Sequence, residues 1–235
     1  GGMGVVYRAL DTLVRDTVAL KFLHPTMLRT EQGRQLFIRE AQIARRLRHE
    51  NIVAVHDVSW TAEGILYLSM EFAQGHSLRA LLRRCRHERR VIPVRLAVTY
   101  LRQILMALEY AHHTVIHRDL KPENVIVLPN ERVKMLDFGL AKAAHEEYFQ
   151  QGYEEKTSRM VGTWAYAAPE QRKRQKVDLR ADIYAVGLLM HELFTLRTPL
   201  DDPVAVVDVR HDVSPSLISV LERALAVEKE QRWPS

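Results

Sequence analysis

The chain of 235 residues is long enough for one large domain or for two lobes that share a core. Hydrophobic residues make up 47% and charged residues 27% of the sequence, a balance that excludes collagen-like, low-complexity and disordered proteins. The 34 Lys and Arg residues exceed the 29 Asp and Glu residues by 5. Because the basic residues are spread along the chain, this charge permits a nucleic-acid or membrane-surface role without establishing one.

The cysteine content and the hydropathy of the sequence indicate the cellular compartment in which the domain works. Cys85 is the single cysteine, so an internal disulfide is excluded and a reducing compartment is the simpler interpretation. No apolar run in the sequence approaches the ~20 residues needed to span a bilayer, and there is no secretory signal. We expect a cytoplasmic domain, although a longer parent chain could be membrane-anchored. The start at Gly1 without an initiator methionine and the end at Ser235 predict a fragment, with an incomplete first strand and a missing last helix.

The first third of the chain has the pattern of a β-sheet interrupted by one helix. Short β-favouring runs, separated by polar or glycine-containing turns, occur at residues 5–7, 17–20, 52–55 and 65–68. Between residues 31 and 48, apolar side chains recur at helical spacing, which predicts an amphipathic helix. Glu40 lies on its apolar stripe. A carboxylate that faces a core is costly unless it is paired, so the pattern predicts a cationic partner on the neighbouring sheet.

The remainder of the chain is dominated by longer helical periodicities. Helices are predicted at residues 94–112, 181–196 and 217–227. A strand-rich first third joined to a helix-rich remainder indicates an α+β protein with two lobes. Residues 83–90 form the one dense basic run, and it lacks interleaved aromatic side chains. We interpret this run as a solvated loop between helices in preference to a nucleic-acid contact.

The most informative stretch is residues 117–124, with the sequence HRDLKPEN, which precedes two short predicted strands at 125–128 and 133–136. If these strands pair as an antiparallel hairpin, Asn124 and Asp137 lie at the same end of it. An amide oxygen and a carboxylate brought together there can share a hard cation such as Mg²⁺. Asp119 leads into the same edge, where a third carboxylate could accept the proton of an attacking hydroxyl.

These motifs together resemble the catalytic domain of Hanks-type (eukaryotic-like) serine/threonine protein kinases. The matching segments, in family order, are Val18-Ala19-Leu20-Lys21, His117-Arg118-Asp119 with Asn124, Asp137-Phe138-Gly139 and Ala168-Pro169-Glu170. The resemblance covers nearly the whole chain, and the opening Gly-Gly-Met-Gly-Val-Val-Tyr is most similar to bacterial members. It implies a small β-rich lobe with one main helix at residues 1–70, a hinge at 71–74 and a larger, mainly helical lobe at 75–235.

The resemblance implies transfer of the γ-phosphoryl group of MgATP, with Mn²⁺ as an alternative ion, to serine or threonine hydroxyls of proteins. The implied catalytic residues are Lys21, Glu40, Asp119 and Lys121, and the implied metal ligands are Asn124 and Asp137. Lys121 and the pair Gly162-Thr163 are typical of the serine/threonine branch. In this interpretation Lys21 is also the cation that Glu40 requires.

The implied nucleotide-binding residues are Gly1, Gly2, Gly4, Val6, Ala19, Lys21, Met70, Glu71, Ala73 and Ile126. Alone, the glycines fit a tight hairpin turn equally well. Met70 is equally compatible with filling a core, and the same holds for the apolar walls formed by Val6, Ala19 and Ile126.

Supporting roles follow from the same resemblance. Thr163, Glu170, Asp182 and Arg232 are expected to be structural: Thr163 to fix Asp119, Asp182 to bind the backbone of the catalytic loop, and Glu170 to pair with Arg232. Thr157 and Ser158 are candidate phosphorylation sites, with Arg118 and Lys142 as receivers of the added charge.

Two alternatives to an active kinase remain at this point. The first is a pseudokinase, which binds ATP or acts as a scaffold without transferring phosphate, although every catalytic side chain that the family requires is present. The second is nucleic-acid binding through residues 83–90. We expect protein substrates and ATP as partners, no nucleic acid, and no membrane segment within the chain.

Overall fold

The computed structural model describes residues 4–23, 31–138, 165–198 and 204–235. The strands are β1 (Gly4–Asp11), β2 (Asp16–Leu23), β3 (Val55–Trp60), β4 (Leu66–Glu71), β5 (His76–Ser77), β6 (Val125–Val127) and β7 (Val133–Met135). The helices are α1 (Glu31–Arg46), α2 (Leu78–His87), α3 (Val94–His112), α4 (Pro169–Arg172), α5 (Arg180–Thr195), α6 (Val206–Val209) and α7 (Pro215–Ala224). Short 3₁₀ turns lie at Pro122–Asn124 and Lys229–Gln231.

The first sheet contains four antiparallel strands in the order β1-β2-β4-β3. Helix α1 lies against it, and Phe37, Ala41 and Ala44 of the helix share a buried cluster with Val55, Leu66 and Leu68 of the sheet. Helix α1 begins with an acidic residue and ends with two basic ones, an arrangement that complements the helix dipole. The predicted β-rich lobe with one main helix is confirmed.

The predicted strand at residues 52–55 is wrong for most of its length. Strand β3 begins only at Val55, while Ile52 forms an isolated parallel bridge with Met135. The amide of Val53 donates to the carbonyl of Met135 at 2.9 Å. This segment is apolar because it packs between the two lobes, and a short buried run has the same composition in a strand or in an extended connection.

The second lobe is built around α3 and α5. Helix α3 has the predicted bounds, and α5 begins and ends one residue before its prediction. Buried residues lie on all sides of α5, as expected for a helix in the middle of a core. Helix α7 begins two residues before its prediction because Ser214 caps it, accepting a hydrogen bond from the amide of Leu217 at 3.3 Å.

The interpretation of residues 83–90 as a loop is also partly wrong. Residues 83–87 complete helix α2, which Ser77 starts by accepting a hydrogen bond from the amide of Ala80 at 3.2 Å. Leu78 and Leu82, one turn apart, anchor the helix in the core. The arginine side chains of the run are exposed, as predicted.

The second sheet has the order β5-β6-β7, and the predicted antiparallel hairpin is present as β6 and β7. The amide of Leu136 donates to the carbonyl of Asn124 at 2.9 Å, one step beyond the strand ends. The residues that flank the hairpin therefore meet at one end. Among the helices of the described residues, none is both long and apolar enough to cross a membrane.

Helix α4 is fixed to the end of the chain by a buried ion pair. Arg232 Nη1 and Nη2 donate to the two carboxylate oxygens of Glu170, each at 2.8 Å. Arg232 is 1% exposed and also donates to the carbonyls of Arg180, Ala226 and Val227. Burial is the largest influence and raises the pKa of Glu170, but the hydrogen bond from Arg232, the backbone hydrogen bond and the charge of Arg232 together outweigh it and hold the pKa below its ordinary value of 4.5.

We predict that Arg232→Ala destabilises the protein strongly, because it leaves the Glu170 carboxylate buried without its cation. Breaking such a pair costs about 3–5 kcal/mol, which lowers the melting temperature by on the order of 10 °C for a chain of this size. Arg102→Ala is the matched control, since Arg102 is an exposed arginine of α3. Equal melting curves for Arg232→Ala and the unmodified protein would contradict the pairing.

The difference in stability between the unmodified protein and Arg232→Ala should depend on pH. A carboxyl whose pKa is lowered by folding contributes stability above its unfolded pKa and loses that contribution as the pH falls through the folded pKa. The melting-temperature difference between the unmodified protein and Arg232→Ala should therefore be full near neutral pH and narrow below the ordinary value of 4.5.

Candidate active site

A buried carboxylate holds the backbone of residues 117 and 118, directly before Asp119. Asp182, on the first turn of α5, is 1% exposed. Its Oδ2 accepts the amide of His117 and its Oδ1 accepts the amide of Arg118, both at 2.8 Å. Arg118 has a left-handed backbone conformation with φ of +62°, which costs about 1–2 kcal/mol in an L-residue and persists only where the surroundings impose it.

His112 is a partner of this carboxylate that sequence reasoning missed. It lies in the last turn of α3, and its Nε2 is 2.8 Å from Asp182 Oδ2. One signal was available, because the α3 periodicity places residue 112 next to the buried positions 108 and 111. The periodicity could not identify Asp182 as the partner, because Asp182 lies 70 residues away in sequence.

Asp119 has two polar neighbours from the same loop. Lys121 Nζ lies 2.7 Å from Asp119 Oδ2. Asn124 Nδ2 donates to the backbone carbonyl of Asp119 at 2.8 Å and to Oδ2 at 3.2 Å. The 3₁₀ turn that ends at Asn124 makes this possible by folding the chain back, with the Asn124 amide donating to the carbonyl of Lys121 at 2.9 Å.

Asp137 follows strand β7 and lies beside the first sheet. Its Oδ1 is 2.6 Å from Lys21 Nζ, and Lys21 is 6% exposed. Asp137 has a φ of +56°, and the next residue, Phe138, is buried with its ring centroid 4.6 Å from that of His117. His117 in turn donates from Nε2 to the carbonyl of Leu136 at 3.0 Å. The two loops that carry Asp119 and Asp137 are therefore packed on each other.

The donor set at this edge fits a hard divalent cation. Because Asn124 Nδ2 is committed to Asp119, the amide oxygen of Asn124 is the atom that remains to bind a metal. Asp137 offers carboxylate oxygens on the adjoining loop. Oxygen ligands of this kind suit Mg²⁺ or Mn²⁺ and do not suit thiophilic metals.

The residues expected around the adenine lie next to the connection between the lobes. Ala19 and Met70 form a buried cluster with Val53, against which Ala73 packs. Glu71 is held in place, because its carboxylate lies 2.7 Å from Lys134 Nζ and its amide donates to the carbonyl of Ala54 at 2.8 Å.

The remaining wall residues are more open. Val6 is 55% exposed and faces Lys21 across the β1–β2 pair, while Ile126 is half-buried. Gly4 is the first residue of β1 and pairs with Leu23.

Several predicted residues lie outside the described part of the chain. They are Gly1, Gly2, Lys142, Thr157, Ser158 and Thr163. The side chain of Glu40 is also outside it, so the predicted pair with Lys21 stays a prediction.

A second polar network near the site was not predicted. Arg79, on the first turn of α2, lies 2.5 Å from Glu192 Oε1 of α5 and 2.8 Å from Glu123 Oε1. It also donates to the hydroxyl of Tyr166 at 2.8 Å, and that hydroxyl donates to Glu192. Burial, followed by the neighbouring Glu192, raises the pKa of Tyr166. These residues are up to 113 positions apart, so no local pattern joins them.

Comparison with known proteins bears on the family to which the chain belongs. Residues 1–234 match the family model for the protein kinase domain. A probable serine/threonine-protein kinase of Streptomyces coelicolor is 37% identical over 257 residues, covering 100% of this chain and 37% of that protein. Serine/threonine-protein kinase PknB of Mycolicibacterium smegmatis is 35% identical over 251 residues, covering 99% of this chain and 39% of that protein. The chain thus spans less than half the length of these relatives.

A solved structure gives the same result for the fold. The kinase domain of Mycobacterium tuberculosis PknI is 30% identical, with a TM-score of 0.77, over 100% of this chain and 88% of that one. The predicted resemblance and the predicted two-lobed α+β fold are therefore confirmed. The chain belongs to the protein kinase family.

Proposed function

We propose that this domain transfers the γ-phosphoryl group of MgATP to serine and threonine hydroxyls of proteins. The observation that carries the proposal is the convergence of two loops, one with Asp119, Lys121 and Asn124 in mutual contact and one with Asp137 bound to Lys21. Members of the family use ATP and a divalent metal ion, and the similar bacterial proteins are named serine/threonine kinases.

In the proposed reaction, the substrate hydroxyl oxygen forms a bond to the γ-phosphorus while the bond from that phosphorus to the β–γ bridging oxygen breaks, and ADP leaves. Asp119 orients the hydroxyl and receives its proton. Lys121, whose ammonium group lies 2.7 Å from Asp119, is placed to offset negative charge on the transferred group.

Asn124 and Asp137 would hold the metal, which neutralises charge on the phosphates when it is bound. Lys21 would bind the phosphates from the opposite sheet. Because Lys21 Nζ already lies 2.6 Å from Asp137, the lysine, the phosphates and the metal would share one locus between the lobes. The paired backbone of Glu71 and Ala54 would fix the hinge on which the adenine binds.

The proposal extends to the organisation of the domain. We assign residues 1–70 to the lobe that covers ATP, 71–74 to the hinge and 75–235 to the lobe that binds the protein substrate. A reducing cytoplasm suits a domain that uses ATP and carries one unpaired thiol. Arg83 and Arg84 of α2 are exposed and suit a solvated helix face, while Arg86 donates to the carbonyl of Leu196 at 2.8 Å, and nucleic acid is not among the proposed partners.

We predict that Asp119→Asn lowers the turnover number by about 10²–10⁴-fold, because the amide cannot accept the hydroxyl proton. The measurement is transfer of labelled phosphate from ATP to a generic basic protein. Asp208→Asn, at an exposed aspartate of α6, is the matched control. Equal transfer by Asp119→Asn and the unmodified domain would contradict the assigned base. Retained ATP binding without any transfer by the unmodified domain would favour a pseudokinase.

We also propose regulation by phosphorylation at Thr157 or Ser158, with Arg118 and Lys142 receiving the dianion. Incubation with ATP followed by intact mass and peptide mapping should find phosphate between residues 142 and 162. The Thr157→Ala/Ser158→Ala double variant should then be less active. Either no phosphate in that segment or full activity of the double variant would count against this regulation.

A further inference from the structure

Arg172, the last residue of α4, has buried hydrogen-bond donors without an acceptor. Its Nε and Nη2 are both buried, and within residues 4–23, 31–138, 165–198 and 204–235 neither has a hydrogen-bond partner. The guanidinium stays charged under all physiological conditions. Leaving a buried donor unsatisfied costs about 1–3 kcal/mol, and more for a charged group. Such donors are satisfied when an anion binds.

Three further cations follow Arg172 directly. Lys173, Arg174 and Lys176 are exposed, and in the part of the chain that the structure describes their side chains form no ion pair. The acidic residues that flank these cations in sequence are both already paired: Glu170 is bound by Arg232 at 2.8 Å, and Asp178 by Arg180 at 2.7 Å and Lys229 at 3.3 Å. Residues 172–176, which we call the basic turn, therefore carry four positive charges, and no carboxylate among the described residues is paired with them.

The basic turn is rigidly placed beside the candidate active site. Gln171 Nε2 donates to the backbone carbonyl of Arg118 at 2.9 Å, so α4 touches the loop that carries Asp119. Glu170 binds the buried Arg232, which fixes the other side of α4. Lys229 Nζ donates to the carbonyl of Lys176 at 3.0 Å and holds the far end of the turn. A group bound at Arg172 would therefore lie near a polypeptide that presents its hydroxyl to Asp119.

We propose that the basic turn, with Arg172 as its anchor, binds an acidic or phosphorylated side chain of the protein substrate. This inference rests on the proposed kinase function and adds a substrate preference to it. Arg172 as a whole is only partly buried, so its guanidinium lies near the surface, and two unsatisfied nitrogens of one planar guanidinium suit a single carboxylate or phosphate group. An extended polyanion would instead be attracted to fully exposed basic faces such as that of α2.

The test compares peptide substrates in the intact protein. Each peptide contains one serine and either one aspartate or one asparagine, moved through successive positions on both sides of the serine. We expect kcat/KM to be about tenfold higher for the aspartate peptide at some position, with phosphoserine in that place at least as effective. Arg172→Met should bring this ratio to about one, mainly through KM. Arg102→Gln, at an exposed arginine of α3, should leave the ratio unchanged.

Three outcomes would overturn the proposal. The first is equal kcat/KM for aspartate and asparagine peptides at every position. The second is an unchanged preference in Arg172→Met. The third is loss of the preference when the unmodified protein is treated with phosphatase, because the preference would then depend on phosphate carried by the chain and not on the basic turn. If Arg172→Met does not fold, Lys173→Gln/Lys176→Gln on the exposed part of the turn should reduce the ratio instead.

A direct binding measurement tests the basic turn independently of the proposed catalysis. Fluorescence anisotropy of the same peptides with Asp119→Asn requires no phosphoryl transfer. Tighter binding of the aspartate peptide, removed by Arg172→Met, would support the site even if the proposed kinase activity failed. Transfer to both peptides with equal binding would overturn the site and leave the kinase function intact.

Discussion

The carboxylate of Asp182 lies in the interior of the helical lobe and is bound on three sides, by His112 and by the amides of His117 and Arg118. An ionised carboxylate in such a place is costly unless its oxygens are fully hydrogen-bonded. The loop backbone satisfies this requirement, and in doing so it loses its freedom to move. The position of Asp119 is thus set by a group in the core of the lobe.

The other half of the site depends on a hairpin. Strands β6 and β7 bring Asn124 and Asp137 to one end, and the tilted contact of the Phe138 ring with His117 joins that end to the loop fixed by Asp182. Lys21 reaches the same point from the first sheet. The Asp182 carboxylate positions the loop of Asp119, and the antiparallel pairing of β6 and β7 positions Asp137. Charged groups from both lobes therefore meet at one place. The phosphoryl transfer that we propose requires these charged groups to be in position before the substrate binds.

The sequence could predict interactions between residues that are close in sequence, but not interactions between residues that are distant in sequence. Helix α3 was predicted to the residue because a 19-residue apolar period leaves little ambiguity. Asn124 and Asp137 were expected together because a hairpin with a short turn is a local structure. The pairs of Arg79 with Glu192 and of His112 with Asp182 were missed, since they join helices distant in sequence. The segment before β3 was misread because its apolar residues pack between the lobes and not within a sheet.

The turnover number of Asp182→Asn, measured at saturating ATP and peptide, tests the central claim most directly. The change keeps the shape of the side chain but replaces an acceptor by a donor that faces the loop amides. The account predicts a fall of about a hundredfold, the cost of displacing a catalytic group by about 1 Å, in a protein whose far-ultraviolet circular dichroism is unchanged. A folded Asp182→Asn variant with the turnover number of the unmodified protein would contradict it.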